Sequence, residues 1–274
     1  MYLDYWQLDS KPFEPGCDAR AMFKGASHTS ALNKLRYAIE NGRAAGLVAG
    51  LSGTGKTLLV ESLRQQLGEQ YQPFVRVVFP QMTDRDLLVY LAEQFGAPPA
   101  DPPRYTIEES LRRLEYVFGE NVRAGRHAVL MIDEAHLLED SGLLEPLRLL
   151  LNLGSLEKPP FTLLLVGQPT LLPMIQRHGA LDERIDIKVV LSALSVQEAI
   201  EYVRHRLAAA GATREIFTAE ALTAAHQLTA GVPRRLNRLC DLALLVGFAN
   251  GQHTIDAEAL RAIHGELVTI PAAA

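Results

Sequence analysis

Apolar and polar positions divide this chain into two regimes. Up to about residue 191, short, mainly apolar runs alternate with longer segments whose apolar residues recur at helical spacing. The runs cover 46–50 (GLVAG), 74–79 (FVRVVF), 128–132 (AVLMI), 161–166 (FTLLLV) and 185–191 (IDIKVVL). Runs without polar alternation predict strands covered on both faces. Residues 28–41 carry Leu32, Leu35, Ala38 and Ile39 one helical turn apart, which predicts a helix. Further helices are predicted over 56–67, 83–95, 106–124 and 143–151, with a proline-rich turn at 97–103. Thr83 stands as an N-cap, and Thr106 with Glu109 has the spacing of a capping box. Strands that alternate with helices are joined by crossovers, so the sheet is predicted to be parallel.

After residue 192 the strand runs stop. Ser195 and Glu198 open a helix with capping-box spacing, and helices are predicted over 218–228, 234–248 and 256–267. The first 25 residues hold Tyr2, Tyr5, Trp6, Pro12, Phe13, Pro15 and Phe23 without helix or strand periodicity. Aromatics need apolar surface, so this segment is expected to lie against the main domain. The predicted organisation is an N-terminal segment, 1–27, packed on the core; an α/β domain, 28–191; and a small all-helical domain, 192–274. Neither repeats nor low-complexity tracts interrupt it.

Composition adds bounds. Hydrophobic residues make up 48% of the 274 positions and charged residues 22%, the balance of a globular protein with a sizeable core. The net charge of −5 and pI near 5.9 speak against a strongly basic nucleic-acid binder. Cys17 and Cys240 lie far apart without CxxC or histidine partners, as expected of reduced, part-buried thiols. The leucine-rich stretch 143–153 is broken by Glu145, Pro146 and Arg148, and no apolar run reaches the ~18 residues of a membrane helix. The N-terminus lacks the pattern of a signal peptide. A cytoplasmic location without membrane insertion is expected.

The chemistry concentrates at two places. Gly50, Leu51, Ser52, Gly53, Thr54, Gly55, Lys56 and Thr57, followed by Leu58, fit a P-loop between an apolar run and a helix. Its glycines let backbone N–H groups face one concavity, and the helix starting near Lys56 adds the positive end of its dipole there. In such a loop the lysine reaches the β- and γ-phosphates of a nucleoside triphosphate, and the Thr57 hydroxyl ligates Mg²⁺. The second place is Asp133 and Glu134, at the end of an apolar run, where open α/β sheets bind ligands. Asp133 is the candidate Mg²⁺ ligand, and Glu134 the group that polarises the attacking water. With Ala135 and His136 they also spell the DEAH box of a helicase class, but nothing after residue 192 resembles the second sheet domain such enzymes need. His136 is expected to cap or pack beside the site.

The order of P-loop, Asp-Glu run, Val166-Gly167-Gln168-Pro169 and a helical region with Gly231-Val232-Pro233-Arg234 resembles AAA+ ATPases. More narrowly it is similar to the ExeA-like, or general secretion pathway protein A, family. Tyr2, Tyr5, Leu8, Pro12 and Phe13 match that family's N-terminal pattern, and the resemblance spans roughly residues 2–265. Two stretches depart from it: a Pro-Asp-Pro is replaced near Gly16, Cys17, Asp18 and Ala19, and Thr170 stands where glutamate is usual. The resemblance implies a P-loop NTPase fold with a helical lid, ATP and Mg²⁺ as ligands, and ATPase activity. It assigns Gln168 to sensor 1, Arg234 to sensor 2 and Arg184 to an arginine finger acting in a neighbouring subunit, with Arg177 next in line. A finger in trans implies a head-to-tail homo-oligomer, a ring or a filament. Pro12, Phe13 and Pro233 either line an adenine pocket or, for the first two, only staple the N-terminus to the core.

Three uses of ATP stay open at this level. The first is a motor or assembly ATPase of a secretion or envelope-associated system, with a membrane-bound partner. Family members often carry a membrane helix and a peptidoglycan-binding domain after the ATPase; this chain ends at Ala274 with neither, as expected of an ATPase-only version or one part of a multi-protein system. The second is a DNA-handling regulator resembling transposition ATPases, for which Arg112, Arg113, Arg123 and Arg126 would form the basic strip, against the interspersed Glu108, Glu109 and Glu115. The third is a nucleotide switch with slow turnover.

Overall fold

A computed structural model describes residues 2–14, 23, 25–78, 82–99, 105–153 and 159–269. Cys17, Pro15, Phe79, the 16–19 departure and much of the 97–103 turn lie outside the described residues. In chain order the elements begin with α1 (Tyr2–Trp6), α2 (Ala26–Glu40), β1 (Ala45–Gly50), α3 (Lys56–Gln66), β2 (Phe74–Val77), α4 (Asp84–Gln94) and α5 (Ile107–Arg123). There follow β3 (Ala128–Ile132), α6 (Leu138–Ser141), α7 (Leu144–Leu150), β4 (Phe161–Gly167), α8 (Leu171–Arg177), α9 (Gly179–Asp182) and β5 (Ile185–Leu191). The last are α10 (Val196–Ala209), α11 (Ala219–Thr229), α12 (Pro233–Ala249) and α13 (Ala257–Thr269).

The five strands form one parallel sheet in the order β2-β3-β4-β1-β5. Val48 is in register with Val166 on one side and Val189 on the other, and Met131 with Leu164. The three inner strands, β3, β4 and β1, are buried at every position, as their unbroken apolar runs demand. The edge strands alternate: Arg76 on β2 and Asp186, Lys188 and Val190 on β5 are exposed. Under the sheet, Phe118 stacks on Phe161 with ring centroids 5.2 Å apart, and Phe95 meets Phe118 edge-on at 5.1 Å. Thr83 caps α4 by accepting the Asp86 N–H at 3.2 Å. Thr106 caps α5 through the Glu109 N–H, but the reciprocal bond from the Glu109 side chain is not formed, so the capping box expected there is half made.

The second compact unit is helical, built from α10 to α13 with the N-terminal segment. Ser195 and Glu198 do complete a capping box at the start of α10. The described N-terminal aromatics pack on these helices. Tyr2–Trp6 is itself a helix, too short to show periodicity. It sets Trp6 fully buried, its indole N–H donating to the Leu244 carbonyl at 2.8 Å and the Arg214 guanidinium 5.2 Å from its ring centre. Gly247 lies in α12 where a Cβ would come within 2.9 Å of that ring. Phe13 is 2% exposed and meets Phe217 edge-on at 6.4 Å, while Arg206 donates to the Pro12 and Glu14 carbonyls. Cys240 sits in the same core, fully buried, and burial pushes its thiol up to about 12.

The two units are not divided linearly. Ser52–Leu58 groups with the helical unit and the N-terminal segment, whereas 28–51 and 59–191 form the sheet unit.

Candidate nucleotide site

The loop between β1 and α3 owes its path to two glycines in left-handed conformation, Gly53 at φ 84° and Gly55 at φ 94°. Gly53 also permits a close approach: a Cβ there would lie 2.7 Å from the Arg234 Cβ and 3.2 Å from Val232 Cγ1. The Gly53 carbonyl accepts the Arg234 backbone N–H at 3.2 Å, and Arg234 Nη1 reaches the Ser52 hydroxyl at 3.5 Å. That N–H belongs to the first turn of α12, where helix donors have no partner within the helix. Pro233, the first residue of α12, has no N–H to satisfy. The turn into α12 is equally constrained. Gly231 has φ 67°, its carbonyl accepts the Leu194 N–H at 2.9 Å, and a Cβ on it would fall 2.1 Å from the Leu194 oxygen. The motif from Gly231 to Arg234 is thus a built turn that presents Arg234 to the loop. Within the loop Thr54 is fully buried and Lys56 is 8% exposed.

The sheet unit carries the acids. All strands run parallel, so the ends of β1, β3 and β4 share one edge, and Gly50, Asp133 and Gln168 mark it. Asp133 is 5% exposed. Its Oδ2 accepts from Arg76 Nη2 at 2.7 Å and its Oδ1 from the Glu134 N–H at 3.0 Å. Glu134 has left-handed backbone, φ 49° and ψ 38°, and a half-exposed carboxylate. That turn sends Asp133 inward and Glu134 outward, two environments for two adjacent acids. Gln168 is exposed, and its backbone N–H donates to His136 Nδ1 at 3.4 Å. Its carbonyl accepts the Leu171 N–H at the start of α8, so any capping by Gln168 is through its main chain. Arg76 was not singled out by sequence reasoning. Its signal was a lone charge inside the apolar run FVRVVF.

The model of a family described as AAA domain matches residues 39–175, half of the chain. The chain belongs to the AAA domain family. This AAA protein is also 35% identical to the general secretion pathway protein A of Aeromonas hydrophila, over 97% of this chain and 47% of that one. It therefore spans about half the length of that relative, and the resemblance read from its N-terminal pattern and motifs stands. Among solved structures it is similar to Aeropyrum pernix ORC2 in ADPNP-ADP complexes, with TM-score 0.70 and 17% identity over 94% of this chain and 72% of that one. Drosophila ORC bound to DNA matches with TM-score 0.66 and 18% identity over 98% and 65%. The Thermotoga maritima RuvB branch migration motor matches with 0.62 and 18% over 93% and 73%. At these identities the structures show the fold alone, the P-loop AAA+ fold, in agreement with the AAA domain match.

The remaining candidates of this AAA protein divide clearly. Arg184 is half-buried and has no ion pair among the described residues. The nearby Asp186 pairs with Arg43 at 3.6 Å. Arg177 is held by Glu139. Of the four arginines of the basic strip, Arg112 pairs with Glu108 at 2.6 Å and Arg123 with Glu120 at 2.5 Å, while Arg113 is buried and donates to the Pro98 carbonyl. Arg126 lines a cavity of about 850 Å³ with Tyr71, Phe118, His127 and Pro160, at the opposite, N-terminal edge of the sheet. Phe13 is buried against Phe217. No described helix is long and apolar enough to cross a membrane.

Proposed function

We propose that this AAA protein binds ATP with Mg²⁺ and hydrolyses it as an assembly or motor ATPase of a secretion or envelope-associated system, working in the cytoplasm as a homo-oligomer. The observation that carries hydrolysis is the divergent pair at the end of β3: a buried Asp133 and an outward Glu134, on the edge from which the phosphate loop departs. The residues fit the ligands. Gly53 and Gly55 turn the loop's N–H groups, and Lys56 supplies the cation for the β- and γ-phosphates. Thr57 and Asp133 would hold Mg²⁺, which takes one or two protein oxygens plus phosphate oxygens and supplies charge neutralisation there. Glu134 accepts a proton from the attacking water, and Gln168 orients that water. Arg234 neutralises phosphate charge from the first turn of α12, and Pro233 beside it stands at the base. The secretion role rests on the name of the Aeromonas relative, and a membrane-bound partner would follow from it. DNA handling is disfavoured because two of its four candidate arginines already pair with glutamates and a third is buried.

Phosphate release with and without Mg²⁺ tests the reading, together with nucleotide affinity. The expected result is Mg²⁺-dependent turnover, loss of binding in Lys56→Ala, and retained binding without turnover in Glu134→Gln. Tight ATP binding with no turnover at any protein concentration would turn the reading to a nucleotide switch.

A further inference from the structure

His136 lies on the 3₁₀ turn Ala135–Leu137, directly after the two acids. Its side chain is 15% exposed and bridges the ends of β3 and β4. One ring nitrogen serves both sides: Nδ1 accepts the Gln168 backbone N–H at 3.4 Å and lies 3.5 Å from Glu134 Oε2. The strand end is shaped around it. A Cβ on Gly167 would come within 3.1 Å of the His136 backbone nitrogen and 3.3 Å of Nδ1.

Nδ1 can accept an N–H only when it carries no proton, which places the ring proton on Nε2. In that tautomer Nδ1 offers a lone pair to the Glu134 oxygen and cannot bond to it. The carboxylate then lies beside the ring with no hydrogen bond from Nδ1 to hold it. If the proton moved to Nδ1, the same nitrogen would release Gln168 and pair with Glu134, withdrawing the carboxylate from water. We propose that His136 is a positioning residue that holds the start of the Gln168 segment through Nδ1 and thereby fixes Gln168 relative to Glu134, while leaving Glu134 available as a base. This rests on the ATPase reading of Glu134 and Gln168.

The test pairs His136→Asn with His136→Leu. The asparagine Oδ1 falls where Nδ1 stands and can accept the same N–H; leucine fills the space without an acceptor. For His136→Leu, kcat is expected to fall about 10- to 100-fold, as small misplacements of catalytic groups do, with ATP affinity within about twofold of the parent. His136→Asn is expected to recover most of that loss. Equal kcat in His136→Leu and the parent, or His136→Asn as slow as His136→Leu with both folded by circular dichroism, would overturn the proposal. A second readout does not require turnover. Long-range ¹H–¹⁵N spectra, with the His136 signal assigned by its loss in His136→Asn, should show the Nε2–H tautomer in the nucleotide-free protein; an Nδ1–H tautomer would overturn the proposal. Absent turnover in the parent, by contrast, would sink the ATPase reading and leave the tautomer measurement to decide the contact to Gln168.

Discussion

At the scale of single residues, the site is held by backbone conformations that side chains would spoil. Gly231 is the sharpest case, with φ 67° and a Cβ position 2.1 Å from the Leu194 oxygen. Gly231→Ala is expected to cost about 1–2 kcal/mol for the left-handed conformation alone. The Leu194 carbonyl, which also meets His226 Nε2 at 3.0 Å, must then move as well. A urea titration should show a lower midpoint, and a midpoint equal to the parent's would contradict the geometry. The phosphate-loop motif and the pair of acids could be read in the sequence because each is a run of adjacent positions. Arg76 could not. Its contact with Asp133 spans 57 positions and depends on the pairing of β2 with β3, where Arg76 is in register with Met131. Periodicity carries no such information.

At the scale of elements, unbroken apolar runs mark the three inner strands, which have no solvent face to carry polar residues, whereas the runs of the edge strands β2 and β5 are interrupted by Arg76 and by Asp186 and Lys188. Short elements escaped. Tyr2–Trp6, Leu138–Ser141 and Gly179–Asp182 span 4 or 5 residues, little more than one turn. The consequence is largest for α1, whose five residues are too few to show which of its aromatics face inward. Trp6 has no exposed surface, and its N–H is satisfied by Leu244, so α1 belongs to the core of the helical unit. Trp6→Ala would leave a cavity against Gly247 and is expected to destabilise that unit by about 3–5 kcal/mol. Thermal unfolding followed by far-ultraviolet circular dichroism would report it. An unchanged transition would mean that the N-terminal segment is an appendage.

At the scale of the whole molecule, the two finger candidates separate on their pairing. Arg177 is engaged by Glu139, so recruiting it would cost that ion pair. Arg184 has no ion pair to break among the described residues. Arginine fingers are worth roughly 10³–10⁵ in rate where they have been measured. If Arg184 acts in a neighbouring copy, hydrolysis should rise more than linearly with protein concentration, because each working site needs two chains. Mixing gives the sharper result. Glu134→Gln keeps its finger but lacks the base, and Arg184→Ala keeps its base but lacks the finger. Each alone should be nearly inactive. Combined in equal amounts, they should recover a substantial fraction of parent turnover, since some interfaces then join an intact base to an intact finger. A mixture as inactive as its components would place Arg184 in its own chain's site. Full activity in Arg184→Ala, with activity lost in Arg177→Ala, would shift the role to Arg177 despite its bond to Glu139.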